Sequence, residues 1–432
     1  MVPHLTTALS GPLAALERTF IDAQPELEAY FRQQWGLHAV PFYASVDLRF
    51  AGYKLAPVDT NLFPAGFNNL NPQFHPLVVQ AVMSAVLRFG CSAKSVMLIP
   101  ENHTRNTYYL ENVMTLIGLM QQAGVRVRVG SLIPDLKEAT PITLPSGRVL
   151  TLEPIERRGD RLVIQDFDPC AIVLNNDLSG GVPDILKGVS QPMVPPPYAG
   201  WTNRRKSQHF KAYDSVADEI AALLKIDPWL INPYFEQCGQ VDFKAQTGLE
   251  CLQKNVAKVL SKIQTKYDEY GVTDKPFVIV KADAGTYGMG IMTVRSAEEI
   301  ASLNRDARKK MAVVKEGLEV HEVIIQEGVY TNERVDESIA EPVVYMVDRF
   351  VVGGFYRVHA NRAIDESLNA PGAQFVPLAF EKPCTPDVQA AGGCAPNRFY
   401  SYGVVARMAQ LAAARELETL ALQVEDRSLV AA

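Results

Sequence analysis

Near the start of the chain, apolar residues recur at helical spacing (Leu13, Leu16, Phe20, Leu27, Phe31) and predict helix over residues 11–35. That pattern then breaks. Residues 40–75 are rich in Pro, Gly, Asn and isolated charges and read as loop-rich, before a helix predicted from Pro76 to Leu87. Residues 95–130 carry a β-α-β pattern: the buried-type strand SVMLIP, an amphipathic helix from Thr107 to Gln122, and the alternating strand VRVRVGSL. Two hairpins follow, turning at Pro145-Ser146-Gly147 and at Arg158-Gly159-Asp160, then the apolar strand AIVLNND from Ala171 to Asp177, which ends in polar residues. In open α/β sheets the carboxyl ends of strands are where ligands sit. Pro192, Pro195, Pro196 and Pro197 mark a linker. Beyond it the pattern predicts a strand-turn-strand unit over residues 277–294, a helix from Ala297 to Lys310, the strand EVIIQEG from Glu322 to Gly328, two β runs around residues 342–358, and a long helix from Val404 to Val424. The class is α/β. The expected division is an N-terminal helical and loop-rich segment (1–92), a βαβ-type domain (93–198) and a larger region (199–432).

The strand-turn-strand unit, FVIVKADAGTYGMGIMTV, carries the strongest chemical signal. An apolar run from Phe277 to Val280 ends in Lys281, a loop with Gly285, Gly288 and Gly290 follows, and Ile291 to Val294 returns. Glycine lets backbone N–H groups close over phosphate oxygens without a Cβ in the way, and Lys281 can place an ammonium on the same oxygens. The pattern predicts a nucleoside triphosphate site. A P-loop needs Lys-Ser/Thr after its last glycine, and a Rossmann turn needs a helix there; Ile291 excludes both. Here the helix comes one strand later, behind a capping box of Ser296 and Glu299. The plain alternative is a tight hairpin with a solvated lysine.

Composition narrows the partners. At 432 residues, with 47% hydrophobic and 21% charged residues, the chain reads as an ordinary soluble protein of two or three domains. A net charge of −6 without a long Lys/Arg run argues against nucleic acid. No apolar stretch is long enough to span a bilayer, and the first residues lack a signal-peptide pattern, so a cytoplasmic protein with small-molecule partners, no membrane partner and an open question of homo-oligomerisation is expected. Six scattered cysteines without a C-x-x-C pair predict reduced thiols, with neither a zinc site nor a disulfide framework.

Further polar groups follow the hairpin in order: Gln326-Glu327 at a strand end, Glu341 opening a strand, Arg357 ending another, and Glu366 and Asn369 three apart in DESLN. A Gln-Glu pair can serve an adenine edge and ribose hydroxyls, although such a pair often just leaves a strand for solvent. Mg²⁺ takes one or two carboxylates plus phosphate oxygens and waters, which scattered Glu and Asn ligands suit. DESLN by itself also reads as a capped surface turn. An amino-acid substrate offers a carboxylate and an ammonium and needs cations and anions close together. Asp47, Arg49, Lys54, Asp59 and Asn61 supply both kinds in one segment, and Arg105 with Asn106 follows the strand SVMLIP. Arg204, Arg205 and Lys206 with His209 form a basic cluster suited to phosphates or carboxylates, or else an exposed charged turn. His103 and His209 read as hydrogen-bonding rather than basic groups.

This order of features resembles the ATP-grasp superfamily, with a βαβ-type domain preceding the grasp. More narrowly, the segments SVDLRF, KLAPVDTNLFPAGFNNL, ENHTRNTYYLEN, GWTNRRKSQHF and KADAGTYGMGIMTV resemble the ATP-grasp glutamate–cysteine ligases of some proteobacteria. That resemblance implies ligation of glutamate to cysteine through an acyl phosphate, with ATP and Mg²⁺ as cofactors. It implies Lys281 and Arg357 as catalytic residues, ATP on Lys281, Gly285, Gly288, Gly290, Gln326 and Glu327, and the metal on Glu341, Glu366 and Asn369. One departure stands out: many ATP-grasp members have Asp-x-Arg where this chain has Glu341-Pro342-Val343, so the local arginine partner is missing. The alternatives are another amino-acid or glutathione-synthetase-like ligase, and a non-catalytic ATP-binding regulatory module.

Overall fold

A computed structural model of the chain describes residues 12–92, 94–102, 106–285, 290–312, 319–378 and 398–430. Helices α1 (Pro12–Asp22) and α2 (Gln24–Leu37) fall where the apolar spacing places them and bury Phe20, Leu27 and Phe31. The next segment differs from the loop-rich expectation. It holds strands β1 (Tyr43–Phe50) and β2 (Leu55–Asn61), paired antiparallel, before α3 (His75–Val86). The polar residues that hid β1 alternate with apolar ones: Val46, Leu48 and Phe50 enter the core, while Ser45, Asp47 and Arg49 line an internal cavity.

The βαβ-type region is a largely parallel sheet. β3 (Ser95–Pro100), α4 (Thr107–Gln122) and β4 (Arg126–Ser131) form its βαβ unit. β5 (Thr140–Thr143) and β6 (Val149–Pro154) make the first hairpin, and β7 (Glu156–Arg158) and β8 (Arg161–Val163) the second. β9 (Ala171–Asn175) and β10 (Met193–Val194) complete the order β10-β9-β3-β4-β6-β5. Cys91 and Cys170 correct the expectation of reduced thiols throughout. They are joined as a disulfide with Cα atoms 6.1 Å apart, linking the end of the α3 region to the start of β9. Their 79-residue separation is invisible to any local cysteine pattern.

After α5 (Lys206–Leu224) the chain adds β11 (Phe235–Cys238), α6 (Leu249–Tyr270), β12 (Val278–Ala282) and β13 (Ile291–Val294). The helix expected over 297–310 is two short ones, α7 (Ala297–Ala301) and α8 (Arg305–Met311). The break comes where the Asn304 side chain caps α8. Ser296 is the N-cap of α7 but makes no side-chain cap bond; Glu299 instead accepts from the Arg295 N–H. β14 (Val323–Glu327) completes an antiparallel sheet of order β11-β14-β12-β13.

β15 (Glu333–Val335), β16 (Ser338–Val347), β17 (Phe350–His359) and β18 (Gln374–Pro377) then pair with the N-terminal strands in the order β18-β17-β16-β1-β2, with β15 on the flank of β16. The segment 1–92 therefore shares a sheet with strands from the far end of the chain. α9 (Arg398–Val430) lies across β1, β2 and α5. Two antiparallel sheets and the carboxyl ends of β3 and β9 open onto one cavity. This is the mixed α/β class that the sequence predicts.

A buried ion pair fastens α9. Arg204 donates from Nε to Glu416 Oε1 at 2.8 Å and from Nη2 to Oε2 at 3.0 Å, and its Nη1 donates to the Thr60 carbonyl at 2.8 Å. His209 Nδ1 meets the same carboxylate at 3.0 Å. Removing one partner of such a pair leaves an uncompensated buried charge, so Arg204→Ala is expected to lower stability by about 3–5 kcal/mol. Denaturant unfolding checks this, and a loss below about 1 kcal/mol, typical of an exposed pair, would refute the structural assignment.

Candidate active site

The cavity holds about 340 Å³ and is walled by β1, β2, β12, β14, β16 and β17. β12 carries Lys281 into it. The ammonium is buried and donates to the Val58 carbonyl of β2 at 2.7 Å. Burial pushes its pKa down to about 8; Asp59 resists that fall and Lys206 reinforces it. Beyond β12 the chain turns through Gly285 and Gly290 at φ of +104° and +62°, a backbone glycine adopts freely. Gly285 lines the cavity, whereas Gly288 lies outside the described residues.

Asp283, just past β12, fixes the start of α5. Its carbonyl accepts from Lys206 N–H at 2.7 Å, and its carboxylate accepts from Ser207 N–H at 2.7 Å and Ser207 Oγ at 2.6 Å. Lys206 is thereby held in the cavity wall, its Nζ 3.9 Å from the Trp201 ring centroid and 3.2 Å from Asp59 Oδ1. Burial in the cleft would raise the Asp59 pKa, but the ammonium groups of Lys206 and Lys281 hold it well below the usual carboxylate range. Of the basic cluster Arg204, Arg205, Lys206 and His209, the structure brings Lys206 to the cavity wall. Arg204 is locked to Glu416, and Arg205 donates to Glu322 at 2.6 Å outside the cavity. The helical phase was the available signal: Phe210 and Tyr213, four and seven residues on, are buried on the face that Lys206 shares.

A chain of four charges crosses the floor, with Arg49, Glu341 and Arg357 buried and Asp47 half-buried. Arg357 Nη1 donates to Asp47 Oδ2 at 2.9 Å and to Glu341 Oε1 at 2.6 Å, and Arg49 Nε donates to Glu341 Oε2 at 2.9 Å. Burial disfavours the Arg357 charge, yet Asp47 and Glu341 more than offset this and raise its pKa. The Asp47 carboxyl is pushed up by burial against the pull of Arg357. The arginine that Pro342-Val343 lacks is thus supplied twice, from β1 and from β17. Arg49 also donates to the carbonyls of Val329 and Glu366, so its donors are engaged within the protein.

Two polar atoms on the cavity-lining residues have no partner among the described residues: Arg357 Nε and Gln326 Nε2. A buried donor left open in a cavity wall is a place for a ligand acceptor. Glu327, its neighbour, also lines the cavity but is held by the fold. It accepts from Lys54 Nζ at 2.8 Å, Trp229 Nε1 at 3.0 Å and Tyr234 N–H at 2.9 Å. Lys54 is therefore withdrawn from the cavity, over the Trp229 ring. Asn61 lines the wall and caps its own turn through Phe63 N–H. Asn106 is exposed as the N-cap of α4, accepting from Tyr109 N–H, and Arg105 and His103 lie outside the described residues. Tyr109, Asn175 and Asp177 also line the cavity; the polar end of AIVLNND pointed to the last two.

The three residues expected to hold a metal are only partly brought together. Glu341 and Asn369 share the cavity wall, while the Glu366 carboxylate turns to Arg362 and the Ala363 N–H, away from it. Among the described residues no group of three His, Cys, Asp or Glu side chains has metal-holding geometry. Each Glu341 oxygen keeps a second lone pair beside its arginine, so Glu341 with the Asn369 amide fits a cation that takes few protein ligands.

A glutamate-cysteine ligase family model matches residues 17–417. A crystal structure from Methylobacillus flagellatus KT, provisionally named a gamma-glutamylcysteine synthetase, is 60% identical and aligns with a TM-score of 0.90 over 97% of this chain and 99% of that one. A glutathione synthetase-like effector from Globodera pallida is 10% identical over 80% of this chain and 77% of its own, at a TM-score of 0.37. D-alanyl-alanine synthetase A from Vibrio cholerae is also 10% identical, over 74% and 82%, at 0.33. These two likenesses are weak. No curated protein matches the chain.

The two lysine-region cations separate cleanly by experiment. Lys206→Ala is expected to weaken ATP binding by about 1.5–3 kcal/mol, the worth of a hydrogen bond to a charged group. Arg205→Ala, a change outside the cavity, should stay within about 0.5 kcal/mol. Titration calorimetry measures both, and equal losses would remove Lys206 from its distinct role.

Proposed function

The chain belongs to the glutamate-cysteine ligase family, and we propose on that premise that it joins the γ-carboxylate of L-glutamate to the amine of L-cysteine. ATP drives the reaction, giving γ-glutamylcysteine, ADP and phosphate. The observation that carries the reading is one cleft in which Lys281, Lys206 and Arg357 converge with Asp47 and Asp59. It offers cations for phosphates and carboxylates and anions for an ammonium, in the same enclosed space.

Lys281 and Lys206 hold the triphosphate, with backbone N–H groups of the hairpin around Gly285 and Gly290 closing over it. Gln326 offers its open amide donor to the base. Arg357, with Nε unpaired, binds the carboxylate to be activated and orients its oxygen for attack on the γ-phosphorus. ADP leaves, and the carboxylate has become an acyl phosphate. The cysteine amine attacks the acyl carbon, the carbon–oxygen bond to phosphate breaks, and the amine proton is lost as the amide forms. Phosphoryl transfer of this kind depends on positioning and charge neutralisation more than on covalent help. Burial of the site keeps water from the acyl phosphate. Glu341 and Asn369 would hold a divalent cation, Mg²⁺ in this proposal, which when bound neutralises phosphate charge. Among the described residues no helix is long and apolar enough to cross a membrane. Use of ATP and amino acids makes the cytoplasm the proposed setting.

ADP release with Mg-ATP and each pair of amino acids tests the reading: glutamate with cysteine should stand above all other pairs. Faster release with a different pair would replace the proposed substrates. The Lys281 ammonium gives a second test. It is depressed to about 8, so the free enzyme loses a phosphate-binding cation as pH rises through that value. kcat/KM for ATP, which reports the free enzyme, should fall on the alkaline side of about 8, and Lys281→Arg should flatten that limb because guanidinium stays charged. An unchanged limb in the arginine variant would assign the titration elsewhere.

A further inference from the structure

Cys238 and Cys251 take no part in the cleft. Cys238 ends β11, buried to 2% exposure, and Cys251 stands exposed in the first turn of α6. Their sulfurs are 3.0 Å apart although neither is bonded. The chain between them is folded back tightly, with Asp242 and Thr247 bridged and Gly248 at φ +76° leading into α6. Two thiol sulfurs brought this close are within reach of each other for a disulfide to form.

The surroundings divide the roles. α6 starts just after its N-cap Gly248, and Cys251 stands exposed in its first turn while Cys238 is buried, so an incoming disulfide meets the Cys251 sulfur first. Asn255 Nδ2, one turn on, lies 3.7 Å from the Cys251 sulfur and 3.5 Å from that of Cys238. Burial pushes the Cys238 thiol up to about 12, and the neighbouring Cys251 adds to the rise.

We propose that Cys238 and Cys251 form a redox-active dithiol that low-molecular-weight disulfides oxidise to an intrachain disulfide. The Cys251 thiolate attacks one sulfur of the small disulfide, forming a mixed disulfide and expelling one small thiolate, which takes up the Cys251 proton. Cys238 then attacks the Cys251 sulfur, breaks the mixed disulfide and expels the second thiolate, which takes up the Cys238 proton. One small disulfide is reduced to two thiols, and the protein loses two hydrogens. The new bond ties β11 to α6. β11 in turn pairs with β14, Phe235 opposite Gln326, so the modification lies on the sheet that carries Lys281.

The test incubates the folded, reduced protein with hydroxyethyl disulfide, blocks free thiols, and maps tryptic peptides by mass. Cys238 falls in the peptide 226–244 and Cys251 in 245–254. The two should appear joined, lighter by two hydrogens than their sum, and separate on reduction. Cys251→Ser, an exposed and mild change, should abolish the joined species. Cys238→Ser should instead accumulate the hydroxyethylthio mixed disulfide on Cys251. Persistent adduct on wild-type Cys251 with Cys238 free, or both thiols unreacted in the folded protein, would overturn the proposal.

Discussion

Arg357 is the group on which the cleft depends. Its guanidinium is buried between Asp47 of β1 and Glu341 of β16, and Arg49 of β1 closes the chain on the other side of Glu341. Glu341 and Arg357 face each other across β16 and β17, and Asp47 lies opposite Val343 on β1 and β16. Burying a single charge is costly, and partners repay this only when geometry and hydrogen bonds are complete. Two guanidinium and two carboxylate groups meet that condition only if all three strands are in register. Site electrostatics and sheet pairing are therefore one constraint: a slip of one residue in any of the three strands would turn that strand's charges to the opposite face and leave their partners unpaired.

The same principle separates cations that belong to the fold from those that remain available. Lys54 and Arg204 each face a buried carboxylate, Glu327 and Glu416, and a phosphate could not replace that partner without leaving the carboxylate unpaired. Lys281 is held by a neutral carbonyl, and Lys206 by a 3.2 Å contact to an Asp59 that is partly open to the cleft. An incoming anion strengthens the interactions of these two lysines and strands no charge of the fold. Residue type alone made all four look equivalent. What distinguishes them is the partner each one finds.

That distinction explains what the sequence could and could not disclose. The apolar periodicities place α1, α4, β3, β4, β9 and the lysine hairpin close to where they lie, because local patterning alone decides them. β1 and β2 were obscured because the rule that buried strand faces are apolar fails where the buried face is a polar cavity: Asp47, Arg49, Asp59 and Asn61 read as loop residues. The hairpin glycines and Lys281 were legible as a short motif. The two arginines on Glu341, the pairing of Cys91 with Cys170 and the burial of Arg204 depend on contacts far apart in sequence, which no window along the chain contains.

The cleft also joins two halves of unlike origin. The sheet with the lysine hairpin is assembled from β11 to β14 by antiparallel pairings that all fall within residues 235–327. The opposing wall needs Tyr43 beside Val347, a pairing between the two ends of the chain. Closing so long a loop costs more entropy than closing a hairpin, although the cost grows only logarithmically with length. The apolar residues of β1 and the four-charge chain must together offset it. α9 helps from behind, because its Glu416 grips Arg204, which itself donates to Thr60 of β2. A chain with its hairpin sheet formed but β1 unpaired would still carry Lys281 and Gln326. It would lack Asp47, Asp59 and the Arg49–Glu341 contact, and Arg357 would have lost its β1 partner. The sheet that bears Lys281 is thus complete within residues 235–327, while the charged floor exists only when β1 has met β16, about 300 residues further along the chain.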